Sequence, residues 1–192
     1  MNEAAGRVSM HGVRDEIVRA QAAAAGLPLF TIPLPWPCTN EIYEARLRAA
    51  VDRAVADGFT HVAFGDLFLE DVRKYREDRL AGTGLAPLFP LWGRPTAALA
   101  REMIAGGVRA RISTLDPRVM PRELIGAEFD EALLAALPPG IDPCAERGEF
   151  HTCVTDGPMF VAPIRLRTGE SVEREGFVYG DLLLVTAAAG PA

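Results

Sequence analysis

Along the first 115 residues, apolar positions fall alternately at helix spacing and in short unbroken runs. Between residues 12 and 25, Val13, Ile17 and Ala20 or Ala24 share one helical face, and Gly26 follows as a stop. Residues 27–34 are an apolar run ending in Pro33-Leu34-Pro35-Trp36-Pro37, which predicts a short strand. Thr39 caps the next helix, 41–56, whose stripe is Ile42, Ala45, Leu47, Ala49 and Val51 before Gly58. The pattern then predicts a buried strand over 60–65, a helix over 69–80 and a strand over 85–91. A helix over 95–105 has Pro95 in its first turn, and a strand over 108–114 follows Gly106-Gly107.

This alternation predicts an α/β fold, a parallel sheet flanked by helices. Ligands of such sheets bind beyond the carboxyl ends of the strands. Residues 9–12, 33–40, 65–70, 92–94 and 113–117 all fall at such ends, which predicts one shared cleft. From Asp116 the character changes. A helix over 128–137 gives way to Pro138-Pro139-Gly140 and a polar loop over 142–147. Strand-like runs follow at 150–155, 163–167 and 172–185, the last broken at Gly176 or Gly180. The expectation is an α/β part over 1–115 and a small α+β substrate lobe over 116–192, ending in an alanine-rich tail.

Composition narrows the function classes. Of the 192 residues, 49% are hydrophobic and 24% charged, so the chain can bury a core. The net charge of −6 disfavours a nucleic-acid partner, since an acidic surface repels a phosphate backbone. Cys38, Cys144 and Cys153 form no CxxC pair, which suits a reducing, cytoplasmic setting. Met1-Asn2-Glu3 lacks the basic and apolar regions of a leader, and residues 182–189 are too few to span a bilayer.

The densest chemistry lies in Gly148-Glu149-Phe150-His151-Thr152-Cys153-Val154-Thr155-Asp156-Gly157-Pro158. Phe150, Cys153 and Val154 are fit to anchor a strand whose Glu149, His151 and Asp156 reach the rim of a pocket. A second segment, Phe64-Gly65-Asp66-Leu67-Phe68-Leu69-Glu70-Asp71, sits at a strand-to-helix junction. There Gly65 permits close approach of a ligand, and Asp66 suits Mg²⁺ or a ribose hydroxyl. Ser9-Met10-His11-Gly12-Val13 marks another such junction. His11 suits a phosphate or purine and Met10 an adenine face; a capping Ser9 beside a surface histidine is the plainer account. Glu70, Arg73, Lys74 and Glu77 are spaced either as a solvated ion-pair face or as part of the cleft. Trp92 stacks on a ligand or closes the sheet end. Cys144, Glu146, Glu149, His151 and Cys153 match no standard zinc spacing, so no metal site is assigned. Cys153 with His151 lacks the orienting third group of a nucleophile pair. His61, inside an apolar run, reads as a packed core or edge histidine.

In this order, several stretches resemble the diphthine–ammonia ligase-like family of N-type PP-loop ATP pyrophosphatases. They are Ser9-Met10-His11-Gly12-Val13, Gly65-Asp66-Leu67-Phe68-Leu69-Glu70-Asp71-Val72-Arg73 with Tyr75-Arg76-Glu77, and Pro90-Leu91-Trp92. Leu124-Ile125-Gly126, Glu146, Gly148-Glu149, His151-Thr152 and Asp156-Gly157-Pro158 complete the set. The resemblance implies a HUP-like nucleotide domain, of the adenine nucleotide alpha hydrolase kind, and a C-terminal substrate lobe. It implies an ATP- and Mg²⁺-dependent ligase that adenylates a small-molecule or protein-borne carboxylate, whereupon ammonia displaces AMP. Ser9, Met10, His11, Gly65 and Asp66 would then hold the nucleotide. Glu146, Glu149 and His151 would be catalytic, with Glu149 deprotonating ammonium. Glu70, Arg73, Trp92, Thr152 and Asp156 would meet the acyl substrate. The family's Ser-Gly-Gly-Lys-Asp-Ser phosphate loop does not occur in the sequence, and Met1-Asn2-Glu3 falls where the family's second strand begins. The resemblance therefore implies a sheet lacking its first strand, with apolar edges open to self-association. A non-catalytic adenine-nucleotide or metabolite-binding module is the alternative function.

Overall fold

A computed structural model describes residues 1–185; the alanine-rich end, 186–192, lies outside them. Five helices form where the pattern predicts them: α1 (Asp15–Ala24), α2 (Asn40–Ala56), α3 (Glu70–Leu80), α4 (Thr96–Ala105) and α5 (Glu131–Ala136). The Thr39 hydroxyl accepts from the Ile42 N–H and so caps α2, and Asp130 caps α5 through the Leu133 N–H at 2.8 Å. Pro95 opens α4, where its missing N–H has no helical partner to lose.

The strands pair differently from the expectation. β1 (His61–Ala63) and β2 (Ala86–Leu88) make a parallel pair, but only these two strands do. The larger sheet is antiparallel, in the order β4-β3-β6-β5, built from β3 (Arg109–Leu115), β4 (Phe150–Asp156), β5 (Leu166–Arg174) and β6 (Phe177–Leu184). The chain is mixed α/β. β3, on the near side of the expected boundary at residue 115, pairs with β4 and β6 from beyond it. β5 and β6 turn on Glu175 and Gly176, both at positive φ (52° and 81°), the backbone of a tight hairpin turn.

The core lies on this antiparallel sheet, covered on both faces. On one face Ala110, Ile112, Leu115, Phe150 and Val178 pack with Ala100 of α4 and Leu133 of α5. On the other, Cys153 and Leu182 pack with Val13 and with Ile17 of α1. Period-2 alternation assigns β4 accordingly: Phe150 and Val154 join the first face, and Cys153 joins the second. No helix among the described residues is long and apolar enough to cross a membrane.

Two sequence expectations are corrected. Residues 27–34 form no strand, because Pro28 and Pro33 cannot donate to a ladder. Instead Met1–Glu3 runs parallel to the end of this segment, with Met1 N donating to the Ile32 carbonyl at 2.9 Å, Leu34 N–H to Met1 at 2.8 Å and Glu3 N–H to Leu34 at 3.0 Å. The strand at 61–63 is not buried either, since His61 and Ala63 are exposed and only Val62 is half-buried. The apolar stripe of α2 likewise finds no cover, as no residue of that helix is buried.

Candidate active site

The start of β4 joins most of the candidate residues. Ahead of it the chain makes a tight polar loop over 142–148, with Ala145 and Gly148 at positive φ, and its backbone N–H groups need acceptors. Carboxylates of the same segment supply them. Glu149, 8% exposed, accepts from the Asp142 N–H at 3.2 Å through one oxygen and from the Arg147 N–H at 3.1 Å through the other. Asp142, also buried, accepts from the Glu146 N–H at 2.8 Å. Glu146 in turn reaches across to the loop after β1, accepting from the Leu67 N–H at 2.6 Å and, more weakly, the Phe68 N–H at 3.4 Å. The Arg147 guanidinium lies over the Phe68 ring, 5.1 Å from its centroid. A relay of carboxylate-to-amide bonds thus ties the antiparallel sheet to the end of β1.

Beside this relay, His151 projects from the opposite face of β4 to Phe150 and meets His11 of the N-terminal segment, with ring centroids 4.4 Å apart. Thr114 of β3 donates to the His11 carbonyl at 3.0 Å and holds that segment against the sheet. Burial lowers the His11 pKa, partly offset by a hydrogen bond with the Thr152 backbone. His151 is pushed down to about 4, first by burial and then by the neighbouring His11. Both imidazoles are therefore neutral at pH 7.

Ser9, Met10 and Gly12 line a cavity of about 740 Å³ bounded also by residues 34–38 and the β5–β6 hairpin. Met10 sits at φ 66° with its side chain 58% exposed, a left-handed conformation rare for methionine. The other nucleotide candidates lie elsewhere. Gly65 and Asp66 follow β1, and Asp66 gives both oxygens to Arg76, at 2.6 and 3.1 Å. Open space surrounds the position of a Cβ at Gly65, so this glycine leaves room for a ligand. Near it, the Arg73 guanidinium lies over both the Phe89 ring (4.8 Å) and the Trp92 ring (4.7 Å), which meet edge to face, and pairs with Glu77 at 2.8 Å. Glu70 begins α3, exposed.

The structure therefore brings Ser9, Met10, His11, His151 and Thr152 together, and joins Glu146 and Glu149 to the Gly65–Phe68 loop. Asp156 stands apart: it ends β4, seven residues long, and accepts from the Gly157 N–H at 2.8 Å. That puts it about 20 Å along the strand from Glu149. Asp142, Arg76 and Arg147 were not among the candidate site residues, although Arg76 stands in the Tyr75-Arg76-Glu77 stretch and Asp142 and Arg147 bound the polar loop.

Residues 96–184 match the family described as diphthamide synthase C-terminal domain. A diphthine–ammonia ligase of Rattus norvegicus is 32% identical over 110 residues, a stretch covering 54% of this chain and 41% of the rat protein. The chain thus accounts for less than half the length of that relative. The family match takes in the whole carboxylate relay on the β4 side, the His151 partner of the histidine pair and all four strands of the antiparallel sheet. That match and that relative together support a diphthine–ammonia-ligase-like family for this chain.

Proposed function

We propose that the protein is an ATP-dependent, AMP-forming amide ligase acting on a carboxylate and ammonia. The observation that carries this reading is the His11–His151 contact, which joins the cavity lined by Ser9 and Met10 to the start of β4 within the family-matched region. ATP, when bound, supplies the AMP leaving group that makes a carboxylate electrophilic. The cavity, about 740 Å³, fits a nucleotide, and Ser9 and Met10 would hold its adenosine end, with His11 beyond them. Glu149 would take the proton of ammonium, each oxygen keeping a lone pair beyond the one given to a backbone N–H. Neutral His151 would pass that proton on, and Glu146 would set the position of the 65–68 loop. Thr152, Trp92, Arg73 and Glu70 would face the acyl substrate, while Asp156, at the far end of β4, lies too far from Glu149 to join them. The residues fit Mg²⁺ less well. Asp66 is engaged by Arg76, and no group of three ligating side chains gathers among the described residues. The division at residue 115 is functional in this reading: the nucleotide residues Ser9, Met10, His11, Gly65 and Asp66 precede it, and the catalytic Glu146, Glu149 and His151 follow it. Three free thiols, Cys38, Cys144 and Cys153, suit a cytoplasmic setting.

The test is pyrophosphate release from ATP with and without ammonium, using a panel of amino-acid carboxylates. Release that requires ammonium and a carboxylate is expected. Release indifferent to ammonium sinks the ligase reading. Saturable AMP binding with no release supports a non-catalytic adenine-nucleotide module instead.

A HUP-like sheet is part of the same proposal. Met1–Glu3 with Ile32–Leu34 is one parallel pair and β1 with β2 another, and a parallel strand between them would use the free edges of both. Apolar side chains stand exposed on each: Leu27 (66%) and Phe30 (61%) near the first, Phe59 (59%) near the second. Open edges of this kind drive association. Light scattering over a concentration series is expected to give a mass rising above 20.7 kDa. A constant monomer mass would show that these edges are not adhesive.

A further inference from the structure

The cavity beside Ser9 and Met10 has a wall that the ligase chemistry leaves unused. It is formed by the β5–β6 hairpin, and the rest of the cavity holds it in place. Asp181 of β6 receives Arg14 through Nε at 2.9 Å and Nη2 at 2.6 Å, and Arg7 through Nη2 at 2.9 Å. These bonds tie the N-terminal segment to the hairpin. The Tyr179 ring rests on Gly12 so closely that a Cβ there would come within 2.6 Å. The cavity is therefore formed before any ligand arrives.

On this wall four polar groups have no partner among the described residues: the carboxylates of Glu170 and Glu175, the guanidinium of Arg174 and the hydroxyl of Tyr179. Glu173, between them on the same strand, is by contrast paired with Arg122 at 2.7 Å and lies outside the lining. Burial and then Glu175 raise the Tyr179 pKa, while Arg174 lowers it, so the three side chains share one electrostatic neighbourhood. Trp36, 63% exposed, and Val172 add apolar surface to the same cavity. The free charges are two negative and one positive. A complementary ligand carries one anionic and two cationic groups and an aliphatic body.

We propose that this wall binds a basic amino acid as its zwitterion, its carboxylate on Arg174 and its two cationic groups shared among Glu170, Glu175 and the Trp36 indole. The ligand's net charge of one balances that of the three unpaired groups, Glu170, Arg174 and Glu175. The assignment rests on the ligase reading only in leaving the Ser9–Met10 lip to the nucleotide, and the binding itself needs no ATP.

Titration calorimetry on the intact chain without nucleotide tests it with three probes. L-arginine is the full ligand, L-citrulline keeps its shape without the side-chain cation, and agmatine lacks the carboxylate. Saturable binding of L-arginine is expected, about tenfold tighter than either analogue. Arg174→Gln should erase the preference over agmatine, and the double variant Glu170→Gln/Glu175→Gln the preference over citrulline. All three side chains are exposed, so these variants keep the fold. Glu173→Gln should bind as the parent does. No saturable binding, equal affinity for the three probes, or wild-type discrimination in the variants would overturn the proposal. Failure of pyrophosphate release would leave these outcomes as they are.

Discussion

Glu149→Gln is expected to lower the stability of the protein by about 2 kcal/mol, read as a shift of the urea midpoint at constant slope. The carboxylate is buried, and each oxygen meets a backbone N–H, of Asp142 and of Arg147. An amide keeps one acceptor and turns the other into a donor facing a donor. One charge-assisted bond is lost and one N–H is stranded in the interior. The effect spreads through the relay. With the 142–147 loop loosened, Glu146 no longer holds the Leu67 N–H at 2.6 Å, and the loop after β1 loses its tie to the antiparallel sheet. Pyrophosphate release should fall with stability, and Glu146→Gln should reproduce part of the loss in release with a smaller change in midpoint. An unchanged urea midpoint in Glu149→Gln would show that its bonds to the loop carry no stability, and would leave proton transfer as its sole role.

Glu149 also shows where reading the sequence stops. Its place at the head of a strand was legible, because Gly148 and Asp156-Gly157-Pro158 bracket an apolar run of strand length. Its orientation was not. A carboxylate beside His151 reads as a rim group until the N–H groups of the preceding loop are counted, and these turn it inward. The helices were legible for the same local reasons: Thr39, Pro95 and Gly106 mark termini within a few residues of the chain they cap. Strand pairing has no such local sign. β3 carries the apolar alternation of either sheet type, and its antiparallel partners are supplied by β4 and β6, far along the chain. The same holds for Asp181 with Arg7 and Arg14, joined across most of the sequence. His11 and His151 were each singled out as chemistry, but nothing short of the fold puts one ring against the other.

Burial of the two rings, and secondarily the effect of His11 on His151, makes stability depend on pH between about 4 and 6.5. His151 titrates at about 4 in the folded chain, and His11 below its ordinary value, against about 6.5 for an unfolded histidine. Between those values the unfolded chain binds more protons than the folded one, so stability rises with pH from about 4 to 6.5 and is flat above. The contribution is whole at pH 7 and disappears as the pH falls through the folded pKa. Solvent reaches both rings in part, and screening reduces the effect to about 1–2 kcal/mol between pH 7 and 5. For a chain of this size that is a fall of about 2–8 °C in the thermal midpoint. Paired carboxylates do not account for it. Arg118 holds Asp116 below its ordinary range, and Arg14 and Arg7 hold Asp181 at about 2, so both titrate under the window. His151→Gln should flatten the profile from pH 5 to 7, since an amide of similar length has no proton to gain. His11→Gln should flatten it less, its own shift being partly offset by the bond to the Thr152 backbone. Equal slopes in the parent and in His151→Gln would mean that the histidine pair is not what senses acid. A flat profile in His151→Gln alone would identify its ring as the group whose neutral state closes the N-terminal segment onto β4.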